Sequence, residues 1–146
     1  MKPKQWKKDE LYMQPSTPAQ RRVATFLRIA DRDIETAESL LQNSPHLYES
    51  IGFSCQQAVE KYLKAVLLLN QLPSPFIHDL TSLATMLSAR ITFDGDDVSA
   101  ATILNAFAVD WRYDTDDAPS YTSADLLNMT YRFRDKLRPL ALAFLD

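Results

Sequence analysis

Glycine is scarce in this sequence, with only Gly52 and Gly95 among 146 residues. Phosphate-binding loops and dinucleotide-binding turns need several closely spaced glycines, so both motifs are excluded. Cys55 is the one cysteine, which excludes an intramolecular disulfide and a cysteine-based zinc site. Because His46 and His78 are the only histidines, a metal site would also need carboxylate ligands.

Long apolar runs are also lacking. None approaches the roughly 20 residues that span a bilayer, and the N-terminus has no apolar signal-peptide core, so we expect a cytoplasmic protein without membrane contact. The formal net charge of −3 predicts no overall attraction to nucleic acid. Charge is nevertheless uneven, since eight of the sixteen lysines and arginines lie in residues 1–32 and seven aspartates lie in residues 94–117. Such opposed patches suit a charged partner or a second copy, although most such runs are simply solvated faces.

The spacing of the apolar residues predicts helices, in keeping with a composition rich in alanine and leucine. Thr17 is expected to cap the first helix, with Pro18 at its first position. Asn43 and Pro45 are expected to end that helix. The second helix is predicted over about residues 47–70 and is expected to be the most buried one.

Three further helices are predicted in the second half of the chain. Asp79 is expected to cap a short third helix, and the fourth is expected to begin at Asp96. The last is predicted over about residues 122–144, where Pro139 is expected to kink it or end it early. The predicted apolar stripe of the fourth helix is Ala101, Leu104, Ala108 and Trp111, and that of the last is Leu126, Phe133, Leu137, Leu140 and Phe144.

These elements predict an all-α fold, an up-and-down bundle of four to five helices. Residues 1–16 are interpreted as a basic N-terminal tail and residues 17–146 as a single domain. No internal repeat or domain boundary is evident along the chain.

A polar face on the second helix carries the first candidate site residues. Gln57, Lys61 and Lys64 share one side by their i, i+4, i+7 spacing. The two lysines suit a phosphate or a carboxylate, but also plain exposure to solvent. His78, which follows a proline-rich loop, is either an acid–base or ligand-contacting group or a structural histidine.

Arg112 and Tyr113 form a second candidate group at the end of the fourth helix. A guanidinium recognises phosphate well, yet the nearby aspartates offer Arg112 an ion pair instead. These aspartates are Asp114, Asp116 and Asp117. They could also hold Mg²⁺, although clustered loop aspartates usually form only a solubilising turn. Nucleophilic catalysis finds little support, because Cys55 lies on an apolar stripe where a thiolate is disfavoured.

Three segments together resemble the HEPN domain family. Residues 54–65, with the sequence SCQQAVEKYLKA, resemble its signature helix, and His78-Asp79-Leu80 and Trp111-Arg112-Tyr113 fall where that family has its His-Asp-Leu and Arg-Tyr-Pro elements. The resemblance implies a helical bundle that forms a homodimer. It also implies a role beside nucleotides or RNA, because family members accompany minimal nucleotidyltransferases, act as ribonuclease toxins, or are proposed to bind nucleotides.

The resemblance implies one ligand-binding group, consisting of Gln57, Lys61, Lys64, His78, Arg112 and Tyr113. The nuclease branch also has a histidine five to seven residues after its arginine, and Arg112 has none. The favoured hypothesis is therefore a non-catalytic homodimeric module that binds a nucleotide, a nucleotidyltransferase partner, or both. No cofactor is expected, apart from Mg²⁺ that a nucleotide would bring. The alternatives are a divergent metal-independent ribonuclease with His78 as base, and a purely structural interaction protein.

Overall fold

The computed structural model describes residues 17–73, 76–108 and 120–146. These ranges hold five helices and no strand, which confirms the prediction of an all-α fold. None of these five helices is long and apolar enough to cross a membrane. The helices are α1 (Pro18–Asn43), α2 (Tyr48–Leu69), α3 (Leu80–Leu87), α4 (Gly95–Asn105) and α5 (Ser123–Leu145).

Side-chain caps set where most of these helices begin. Thr17 caps α1 in a reciprocal capping box with Gln20, and the Asp79 carboxylate accepts hydrogen bonds from two backbone N–H groups of α3. Both caps confirm the predicted helix starts. The boxes that begin α4 and α5 pair Asp94 with Asp97 and Thr122 with Asp125.

Asp96 and Asp97 lie in the first turn of α4, as predicted, but the predicted extent of this helix through Ala108 is wrong, because α4 ends at Asn105. The Asn105 side chain accepts from the Leu80 N–H at 2.8 Å and donates to Asp79 at 2.9 Å, which ties this helix end to the start of α3. Ala108 therefore lies beyond the helix, in a turn where its N–H donates to the Asn105 carbonyl at 3.0 Å.

Of the two outcomes expected at Pro139, the early end of α5 does not occur, since the helix continues to Leu145. Pro139 lies on the exposed side of α5, so the carbonyl that loses its helical partner faces solvent. The predicted stripe is also wrong at its C-terminal end. Leu140 is 40% exposed, whereas Ala141 and Leu145 are buried.

The central helix of the core is α2, which packs against all four other helices. Most of its apolar side chains are buried, which confirms that it is the most buried helix, although Phe53 is 42% exposed. A polar network holds α1, α2 and α5 together: Asp31 accepts from the Tyr62 hydroxyl at 2.6 Å and from two Arg138 nitrogens at 3.0 Å each. The polar side of α2 is also shielded from solvent in part, because Gln56, Glu60 and Lys64 are buried.

Candidate functional site

A single carboxylate on α2 gathers three basic side chains. Oε1 of Glu60 lies 2.5 Å from Nδ1 of His78, and Oε2 accepts a hydrogen bond from the Lys61 ammonium. Nζ of Lys64, one helical turn further on, lies 3.7 Å from Oε2. The Glu60 cluster, as we call these four residues, joins the middle of α2 to the segment that leads into α3.

Backbone contacts fix the position of His78 in this cluster. Nε2 of Gln56 donates to the His78 carbonyl at 2.9 Å, and Gln57 donates to Oε1 of Gln56 at 2.7 Å. The next residue, Asp79, is held as the cap of α3. The backbone that carries the imidazole is thus anchored at two points, and Gln57 contributes through Gln56.

Burial differs sharply within the Glu60 cluster. The side chain of Glu60 has no exposed area and that of Lys64 is 9% exposed, whereas Lys61 is 17% exposed and His78 is 65% exposed. Two ammonium groups share one carboxylate, so the cluster carries one excess positive charge when His78 is neutral. Lys61 and His78 are the members that an anion in solution can reach.

Two carboxyl groups at the cluster have pKa values that depart from the ordinary range. Burial alone would raise the pKa of Glu60, but hydrogen bonds from Lys61 and His78 outweigh it and hold that pKa below its ordinary value. Burial also raises the pKa of Asp33, on α1, to about 6, against the opposing charge of Lys61. Asp33 therefore belongs to the electrostatic surroundings of the site.

The structure brings Lys61, Lys64 and His78 together around Glu60. Arg112 and Tyr113 lie outside the described residues, as do the three aspartates considered for Mg²⁺. Among the described residues no group of three or more histidine, cysteine, aspartate or glutamate side chains is arranged to hold a metal ion.

Sequence reasoning missed the centre of the site. Glu60 has the i,i+4 spacing to Lys64 that is typical of a surface ion pair, and this spacing alone indicates only support for the helix. Gln56 lies in the signature segment, yet nothing in the pattern marks it as buried. No sequence signal points to Asp33, because its place beside the cluster depends on the packing of α1 against α2.

Comparison with known proteins agrees with this fold. A family model described as the HEPN domain matches residues 23–138. The archaeal HEPN homologue ST0689 has a similar solved structure, with a TM-score of 0.64, 24% sequence identity, and coverage of 82% of this chain and 98% of that one. TT1696 from Thermus thermophilus is also similar, with a TM-score of 0.58, 25% identity, and coverage of 85% of this chain and 95% of that one. No curated protein matches the sequence.

Proposed function

The chain belongs to the HEPN domain family, and we propose that it is a non-catalytic module that binds a nucleotide at the Glu60 cluster. The observation that carries the proposal is the sharing of one buried carboxylate by Lys61 and Lys64. The four residues of the cluster keep one positive charge in excess, which the Asp33 carboxylate on α1 partly offsets, and a phosphate group would be attracted to the remainder. Lys61 and His78 offer an ammonium and an imidazole at the protein surface for that contact.

Exposed aromatic residues that lie near the cluster residues along the chain favour a nucleotide over a simple anion. Phe76 is fully exposed and lies two residues before His78. Phe53, 42% exposed, precedes Gln57 by four residues on the same side of α2. A nucleobase stacks readily on an exposed aromatic ring, and the binding of single-stranded nucleic acid combines such rings with cations.

The same proposal includes a homodimer and a nucleotidyltransferase partner. Exposed apolar side chains such as Leu47, Phe53 and Tyr121 are available for protein contacts among the described residues. Light scattering coupled to size-exclusion chromatography would give twice the monomer mass for a dimer. A monomer at all concentrations up to the millimolar range would refute the homodimer without affecting the partner or nucleotide binding.

Titration with nucleotides tests the binding site directly. Isothermal titration with nucleoside triphosphates and diphosphates, with and without Mg²⁺, should show binding that Lys61→Ala weakens at least tenfold. Arg28→Ala is the matched control, because it removes one positive charge from an exposed position on α1. No binding at millimolar concentrations, or equal weakening in both variants, would refute the proposal.

The pairing of Glu60 with His78 favours a second candidate, metal-independent cleavage of RNA. Nδ1 of His78 faces the carboxylate, so Nε2 is the ring nitrogen that can accept the proton of a ribose 2′-hydroxyl. Incubation with end-labelled RNA in the presence of a chelator tests this candidate. Cleavage that disappears in His78→Ala would establish it, whereas intact RNA would leave nucleotide binding as the function.

A further inference from the structure

A concave site lies between α3 and α4, and none of its lining residues belongs to the Glu60 cluster. It is a cavity of about 290 Å³ whose floor includes the buried ring of Phe133. The ring of Phe93 lies beside it, with its centroid 6.0 Å from that of Phe133 and its plane tilted by 35°. One wall is formed by Thr81, Ala84 and Thr85 of α3 with the C-cap residue Ser88, and the other by Asp97, Val98 and Ala101 of α4.

The charged groups at this cavity are already paired with one another. Oδ2 of Asp97 lies 2.5 Å from Nζ of Lys136, and Oδ1 lies 3.1 Å from the Arg132 guanidinium. Arg132 also contacts Asp94 at 3.1 Å. Asp97 is the one charged residue that lines the cavity, and it is already paired, so the cavity suits an uncharged molecule better than an ion.

The hydroxyl groups at the rim are arranged to accept hydrogen bonds. Thr85 donates its hydroxyl proton to the Thr81 carbonyl at 2.8 Å, and Ser88 donates its own to the Thr85 carbonyl at 2.7 Å. Each hydroxyl oxygen keeps lone pairs for a donor from outside the helix. A ligand that packs against these aromatic rings and carries an N–H or O–H would donate to them.

From these features we infer that the cavity binds an uncharged aromatic molecule of one or two rings that carries a hydrogen-bond donor. Its volume supports this size, because an apolar cavity of about 150 Å³ holds one benzene ring. The rings of Phe93 and Phe133 supply apolar contact, and the rim hydroxyls orient the donor. This ligand site is separate from the proposed nucleotide site and does not depend on it.

Indole, phenol and benzimidazole are suitable probes, since each is uncharged, aromatic and a donor. Ligand-observed NMR with the full-length protein should show binding of at least one of them, with a dissociation constant of a millimolar or below. For indole, methylation of its nitrogen should weaken binding at least fivefold. Lys61→Ala should leave the affinity for the probes unchanged, which separates this site from the nucleotide site.

Two tryptophan substitutions localise the bound probe. Thr85→Trp fills the rim and should weaken binding at least tenfold, whereas Thr102→Trp should not. Thr102 is a matched control because it is exposed, lies outside the cavity, and donates its hydroxyl proton to the Val98 carbonyl in the same helical geometry. Val98→Trp, at a residue 47% exposed at the cavity, replaces Thr85→Trp if circular dichroism shows that the latter is unfolded. Absence of binding by all three probes, or equal binding to the rim and control variants, would overturn the inference.

Discussion

Nδ1 of His78 lies 2.5 Å from Oε1 of Glu60, although the Glu60 side chain is completely buried and that of His78 is 65% exposed. The contact therefore joins an exposed imidazole to a buried carboxylate. This carboxylate also pairs with Lys61 and Lys64. A substitution that removes it therefore takes away the carboxylate partner of all three basic side chains.

Glu60→Gln should lower the free energy of unfolding by about 3 kcal/mol, because it leaves the buried Lys64 ammonium without a carboxylate. Urea denaturation at neutral pH measures the effect. Glu49→Gln, in the first turn of α2, is the control and should cost less than about 1 kcal/mol. Similar losses of unfolding free energy in Glu60→Gln and Glu49→Gln would show that the Glu60 carboxylate stabilises the protein no more than a carboxylate in the first turn of α2 does. The wild-type contribution should be present above the ordinary carboxyl pKa and lost as the pH falls through the lowered pKa of Glu60.

Asp33→Asn should stabilise the protein progressively as the pH rises from about 4 to above 6. Burial raises the pKa of Asp33 from 3.8 to about 6, so the folded protein holds this proton more tightly than the unfolded chain. The wild-type protein therefore loses stability as the pH rises through that range, and the asparagine variant avoids the loss. Denaturation of both proteins at the two ends of this range checks the sign, and a difference independent of pH would contradict it. The same variant should bind phosphate more tightly, because a negative charge near Lys61 is gone.

The two glycines should respond oppositely to alanine. Gly52→Ala places a Cβ atom inside contact distance of the Phe107 ring, so we expect a loss of about 1 to 3 kcal/mol despite the better helix propensity of alanine. At Gly95 the new Cβ meets no atom within 4 Å, and a gain of about 0.5 kcal/mol is expected. Thermal unfolding distinguishes the two, and a stabilising Gly52→Ala would mean that Phe107 moves aside at little cost.

Cys55 should be unreactive in the folded protein. Burial raises the pKa of its thiol to about 11, with a smaller opposing effect from the Thr130 hydroxyl, so the thiolate is rare at neutral pH. Ellman's reagent should therefore react with Cys55 only as fast as the protein opens, and with one thiol per chain in denaturant. Prompt reaction under native conditions would contradict the burial of this side chain.

Tyr62→Phe should cost about 2 kcal/mol, because the lost hydroxyl donates to a carboxylate from a buried position. Tyr131→Phe provides the comparison, since the Tyr131 hydroxyl donates to Glu38 at 2.7 Å in a more exposed setting. We expect that variant to cost less than about 1 kcal/mol, as measured by chemical denaturation. Equal costs would indicate that burial does not strengthen the Asp31 contact.

Local signals made most of the fold predictable. The capping residues Thr17 and Asp79 act within three residues along the chain, so the sequence alone contains the whole interaction. The end of α4 was not predictable in this way. It depends on hydrogen bonds between Asn105 and the start of α3, which lies 25 residues earlier along the chain.

The candidate site was predictable only in part, for a related reason. Helical spacing placed Lys61 and Lys64 on one side of α2, but it carries no information on what covers that side. The His78 segment covers it, through a carbonyl that accepts from Gln56 and a ring that contacts Glu60. The burial of this polar helical face depends on tertiary packing. That packing brings His78 against Glu60, so one residue of an ordinary i,i+4 pair becomes the centre of a cluster.

Asp97 completes the capping box that begins α4, and the same carboxylate contacts Arg132 and Lys136 on α5. At 11 residues, α4 is too short to persist as an isolated helix in water. The Asp97 side chain takes part both in the first turn of α4 and in the attachment of α4 to α5. Disruption of one of these interactions therefore weakens the other. The two helices should consequently open as one cooperative unit, with their amide hydrogens exchanging together, and any ligand held between α3 and α4 would slow that opening.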